Sequence, residues 1–182
     1  MSRILVTVAL ALALAGGLPA RAESRVPTGY ESAVAPQGIS PLLFYAMALT
    51  ESGQSEMTAG YRPWPWTLSI NGKPHFYPSR RSAGSALRAA IDYPAQQLGV
   101  GLFQIEYRYH SERFESPEAM LDPYLNSRVA AEILAEGLQR SNGDVWAAVG
   151  TFHSGTPELA EAYRERVARR LVSLLGKGSD DR

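Results

Sequence analysis

The chain has 182 residues, 18 basic against 18 acidic side chains, and no cysteine. A balanced charge gives no overall field to draw it to nucleic acid or an anionic membrane. Without cysteine, neither a disulfide framework nor a lipidated cysteine is open to it. His75, His110 and His153 stand at irregular spacing, which argues against a zinc site, so no metal or other cofactor is expected.

Arg3 precedes an apolar run from Ile4 to Ala15 broken only by Thr7. Gly16, Gly17 and Pro19 end the run, and Ala20-Arg21-Ala22 has the small-x-small form of a cleavage site. Residues 1–22 are therefore expected to be an export signal, too short for a comfortable membrane span, which directs the protein to the periplasm or cell envelope. Residues 23–39, rich in Ser, Pro, Gly and small side chains, are expected to form a flexible leader. Residues 40–176 then make one domain, with 177–182 as a disordered tail. A monomer is expected.

Ser40 and Pro41 open a helix and Gly53 offers a left-handed end to it. Nearly everything between is apolar, so the helix should be buried on most faces. In its last turn stands Glu51. The negative end of the helix dipole and an apolar surrounding both favour the protonated carboxyl that a general acid needs; a surface glutamate at an emerging helix end is the plainer alternative. Next, Asn71-Gly72 between β-favouring runs signals a hairpin, with Trp66, Leu68 and Ile70 on one face and Pro74 marking an edge strand. Trp64, Trp66 and Tyr77 either pack into the domain or form a sugar-stacking wall.

A short helix over Ser82 to Ile91 and a loop lead to Gly99-Val100-Gly101-Leu102-Phe103-Gln104-Ile105. Its glycines let the backbone approach something closely, and its one amide, Gln104, needs partners from backbone or ligand. Asp122-Pro123 starts a long helix to about Arg140, with Leu125, Val129, Ile133, Leu134 and Leu138 at helical spacing. Asp144 caps a helix ending at His153-Ser154-Gly155. Thr156-Pro157-Glu158 starts the last helix, whose core stripe includes Leu159, Tyr163, Val167 and Leu171. Arg164, Arg166, Arg169 and Arg170, interleaved with Glu161 and Glu165, read as a solvated face with i,i+4 pairs.

In this order, Glu51-Ser52, Gly101-Leu102-Phe103-Gln104, Asn126 and Thr151-Phe152-His153-Ser154-Gly155 resemble the soluble lytic transglycosylase family. That family carries Glu-Ser, Gly-Leu-Met-Gln and Ala-Tyr-Asn-Ala-Gly motifs. The resemblance implies a mainly α, lysozyme-like α+β fold: a single helical domain with a β-hairpin insertion. It also implies cleavage of the β-1,4 bond between N-acetylmuramic acid and N-acetylglucosamine in peptidoglycan glycan strands. The Pro-Trp-Pro-Trp hairpin resembles the members associated with conjugation, type IV secretion and pilus machines. By the resemblance Glu51 is the catalytic acid, and Ser52, Gln104, Phe103, Tyr93, Phe152, His153 and Asn126 line the substrate site, although Asn126 could equally pack helices.

Phe152 departs from the family tyrosine whose hydroxyl reaches the acid, so Tyr45, Tyr93 or His153 is expected to supply that donor, or activity is reduced. Two alternatives stay open. One is a hydrolytic, goose-type-lysozyme-like muramidase, for which Glu56, Asp92 and Glu106 are the candidate second carboxylates. The other is a peptidoglycan-binding assembly factor without catalysis.

Overall fold

The computed structural model describes residues 26–56, 60–93 and 97–176. The expected export signal (1–22), the first part of the leader (23–25) and the tail (177–182) lie outside them.

Side-chain caps set where the helices begin. The Ser40 hydroxyl accepts from the Leu43 amide (3.4 Å) at the head of α2 (Pro41–Ser52). Ser79 and Ser82 form a reciprocal capping box at the head of α3 (Arg80–Ile91). Asp122 accepts from the Tyr124 and Leu125 amides at 3.0 and 3.1 Å ahead of α5 (Pro123–Arg140). Asp144 caps α6 (Val145–His153) through the Ala147 amide at 2.9 Å. Prolines in the first turn of α2, α5 and α7 (Pro157–Gly176) use positions where the missing N–H costs nothing.

Two expectations are corrected. Residues 26–39 are not a flexible leader: they form α1 (Thr28–Val34) and a 3-10 turn (Ala35–Gln37), with Val26, Val34 and Ile39 buried. A few apolar anchors among small polar residues suffice, because Tyr30 packs edge-on against Phe44, Tyr45 and Phe103. Gly53 does not end α2 in the left-handed region either. It is extended (φ −61°, ψ 128°) and leads straight into β1 (Gly53–Glu56), paired antiparallel with β2 (Gly60–Pro63).

The predicted hairpin is present as β3 (Thr67–Ile70) and β4 (Lys73–Phe76), joined by Asn71 and Gly72 at φ 51° and 76°. It belongs to an antiparallel sheet of order β4-β3-β5-β6, with β5 at Leu98–Val100 and β6 at Ile105–Glu106. A single turn, α4 (Tyr107–His110), follows. Pro74 pairs with Ser69, the non-hydrogen-bonded position next to a two-residue turn, so its missing N–H leaves the ladder intact.

α2 packs against α1 and α7, and α6 packs between α5 and α7. Surrounded in this way, α2 buries residues around most of its circumference, including Leu43, Phe44, Met47 and Leu49. Phe44 stacks on Phe103 at 4.2 Å, and Phe152 meets Phe103 edge-on. The fully buried Phe44 and Phe103 rings each contribute roughly 1.5–3 kcal/mol, and the half-buried Phe152 less. The stack ties α2 to the turn after β5 and to α6, the three elements that carry the site. This is the mainly α, lysozyme-like architecture with a β insertion. Among the described residues no single helix is long and apolar enough to cross a membrane.

Candidate active site

Glu51 lies in the last turn of α2 with its side chain only 10 % exposed. Ser52 beside it is buried, and its hydroxyl donates to the Leu102 carbonyl at 2.7 Å. Ser52 is thus a bolt between the helix end and the turn after β5, and it has no exposed face to offer a ligand.

That turn, residues 101–104, is built on close approach. Gly101 has φ 81°, and a methyl group there would stand 2.5 Å from the Asn126 amide nitrogen. Asn126 is fully buried. Its Oδ1 accepts from the Phe103 amide at 2.9 Å, and its Nδ2 donates to the Val100 and Met120 carbonyls, each at 2.9 Å. Asn126 and Phe103 therefore support the site from beneath, correcting their expected place on the substrate wall. The glycines of the motif make room for that amide.

Gln104 does reach the cleft. Its backbone is left-handed (φ 48°), a costly conformation for a residue with a Cβ. Its own side chain holds it there, Nε2 donating to the Gly101 and Thr67 carbonyls at 2.7 and 3.2 Å. The amide nitrogen is spent on backbone, so the amide oxygen is the atom left for a ligand.

Facing Glu51 are α6 and α7. His153 Nδ1 is 3.6 Å from the Glu51 Oε1, and the imidazole stacks flat on Tyr163 at 4.5 Å and 5°. Tyr163 is fully buried, and its hydroxyl stands beside the Glu51 carboxylate without a close hydrogen bond among the described residues. Burial first, and then the nearby Glu51 carboxylate, push the phenol well above its usual range. It therefore stays neutral, so its O–H can donate to the Glu51 carboxylate and its oxygen can accept from the protonated carboxyl. Of the three donors expected to replace the family tyrosine, His153 is in position. Tyr93 is 65 % exposed in a loop, and Tyr45 packs on Tyr30. Tyr163 went unforeseen as a site residue because it sits within an apolar helical stripe. The signal was its hydroxyl, since a buried phenol needs a partner.

Glu51, Gln104, Phe152 and His153 open onto one cleft of about 900 Å³. Its other walls come from the β3–β4 hairpin (Ser69, Gly72, Pro74), Glu106, the α4 turn (Arg108, Tyr109, His110) and Thr151. Glu106 Oε1 accepts from the Leu98 amide at 3.1 Å. His110 has a buried Nδ1 without a hydrogen-bond partner among the described residues. Trp64, Trp66 and Tyr77 form no wall of this cleft. Trp64 donates to the Tyr77 carbonyl at 2.7 Å and meets Trp66 edge-on, while Trp66 and Tyr77 pack on the core. A second hollow along the first turns of α7, lined by surface Glu and Arg side chains, is open and shallow.

A family model for the transglycosylase SLT domain matches residues 30–170. The chain belongs to that family. No curated protein and no solved structure matches it significantly. The match begins inside α1, so the SLT domain takes in the helix that composition alone assigns to a leader. Membership brings peptidoglycan cleavage of the lytic transglycosylase type, and with it a glycan strand as the substrate.

Proposed function

We propose that this chain is a lytic transglycosylase that uses Glu51 alone as acid and then base. The observation that carries the proposal is the sheltered Glu51 carboxyl at the cleft, with His153 and the neutral Tyr163 hydroxyl against it. Glu51 gives its proton to the leaving 4-oxygen of N-acetylglucosamine as the C1–O bond breaks. The muramic acid N-acetyl oxygen supports the positive charge developing at C1. The Glu51 carboxylate then takes the proton of the 6-hydroxyl, O6 closes on C1, and a 1,6-anhydro ring forms. Glu51 ends protonated as it began, and no water is consumed. Tyr163 and His153 hold the carboxylate between the two halves, and the Gln104 amide oxygen orients the sugar.

The substrate class and the signal-like residues 1–22 support action in the periplasm or cell envelope. The resemblance of the Pro-Trp-Pro-Trp hairpin supports local wall remodelling around an envelope-spanning conjugation, secretion or pilus machine.

A second carboxylate in the cleft, Glu106, keeps a hydrolytic reading in play. Mass spectrometry of digested peptidoglycan decides between them. Anhydro ends from wild type, none from Glu51→Gln, and continued anhydro product from Glu106→Gln are expected. Reducing ends alone would make the protein a hydrolase. Full activity in Glu51→Gln would remove Glu51 from the chemistry.

A further inference from the structure

The last carbonyls of a helix have no partner inside it and must find one outside. In α2 the usual left-handed glycine cap is absent, since Gly53 is extended. The carbonyls on either side of Glu51 are held instead from the β1–β2 ribbon and the residue after it. The Tyr61 hydroxyl donates to the Leu49 carbonyl at 3.2 Å, and the Trp64 amide donates to the Ser52 carbonyl at 3.0 Å.

Tyr61 is itself fixed from α7. Arg170 Nη2 donates to the Tyr61 hydroxyl at 2.8 Å, and the guanidinium lies over the ring at 4.3 Å. The hydroxyl therefore receives from a cation while giving to a carbonyl, an order in which each bond strengthens the other. Gly53 is required by this contact, because a methyl group there would overlap both the Tyr61 hydroxyl and the Leu49 carbonyl. On α7, Tyr163, Val167 and Arg170 follow at i, i+4 and i+7, one face of the helix. The face that sets Tyr163 against Glu51 also anchors the ribbon two turns later.

We infer that Tyr61 and Arg170 are positioning residues for Glu51: the ribbon they latch to α7 caps the catalytic helix and keeps its last turn aligned with the cleft. This rests on the reading of Glu51 as the acid. Small displacements of a reacting group are expensive, so losing the latch should lower kcat about tenfold and leave KM within about twofold.

The test measures kcat, KM and melting temperature of the full chain on soluble glycan strands, well below the lowest melting point. Tyr61→Phe keeps the ring and removes both hydrogen bonds, and Arg170→Met removes the cation. Each should show the fall in kcat, the pair together should be no worse than the worse single variant, and Arg170→Lys should recover most of it. Leu138→Ala on α5 supplies a destabilised control and should keep kcat near wild type. Wild-type kcat in folded Tyr61→Phe and Arg170→Met, a fall that Leu138→Ala reproduces, or losses that simply multiply would each overturn the inference. Glu51→Gln in the same assay separates the two readings: inactive, it leaves the acid in place though the latch fails; active, it removes the acid itself.

Discussion

Asn126→Ala offers the sharpest check on how the site is supported. The change deletes one carboxamide and strands three buried backbone groups: the Phe103 N–H and the carbonyls of Val100 and Met120. A buried polar group left without a partner costs about 1–3 kcal/mol. The carbonyls keep a second lone pair, which puts the total near 4 kcal/mol rather than at the sum of three maxima. Against a global stability of roughly 5–15 kcal/mol that is a large fraction. It corresponds to a melting point lower by about 8–16 °C for a domain of this size. Urea unfolding monitored by circular dichroism reads it as a lower midpoint at unchanged m value. Asn126→Asp should be destabilised too, since an oxygen then faces two carbonyls. Burial raises that carboxyl's pKa, so its loss should ease as the pH falls. A penalty under about 1 kcal/mol for Asn126→Ala would mean the turn after β5 stands without the amide, refuting the reasoning.

Gly101→Ala should fail more severely, because a left-handed φ of 81° and overlap with Asn126 act together; soluble yield and thermal melting measure it, and a wild-type melt would contradict it. Tyr163→Phe should lower kcat about tenfold while changing stability little, since the buried hydroxyl stands beside the Glu51 carboxylate but forms no close hydrogen bond among the described residues. Parallel activity and melting assays separate the two, and unchanged kcat would exclude Tyr163 from the reaction. Burial, then Arg113, lowers the His110 pKa below its usual 6.5, outweighing Glu112, Glu136 and Glu106. The unfolded chain therefore takes up the proton first, and the contribution of His110, full above that value, drains away as pH falls below it. His110→Gln should flatten the melting temperature between about pH 7 and pH 5; an unaltered slope would show that His110 does not set it.

Much of the fold was legible because its signals are local. Ser40, Asp122 and Asp144 cap the helices that follow them, and Asn71-Gly72 turns a hairpin, all within a few residues of chain. The order of Glu51, Gln104 and Phe152-His153 pointed to one site. What stayed hidden depends on distant partners. Asn126 and Gln104 are both lone amides in apolar runs, yet only the packing of α5 under residues 101–104 makes one a buried support and the other a cleft residue. Ser52 faces inward because Leu102 offers it a carbonyl fifty positions away. Nothing local marks Tyr61, just ahead of the Pro-Trp-Pro-Trp stretch, as the cap of a helix, and its partner Arg170 lies 109 residues on, within what reads as an ordinary charged face.

The outer strand β4 borders the cleft with every residue exposed, carrying Lys73 and the N–H-less Pro74. A bare sheet margin normally invites pairing with a neighbouring chain, and a cation and a proline are the features that deny it. The rim beside the groove can thus stay open without recruiting a second chain by strand addition.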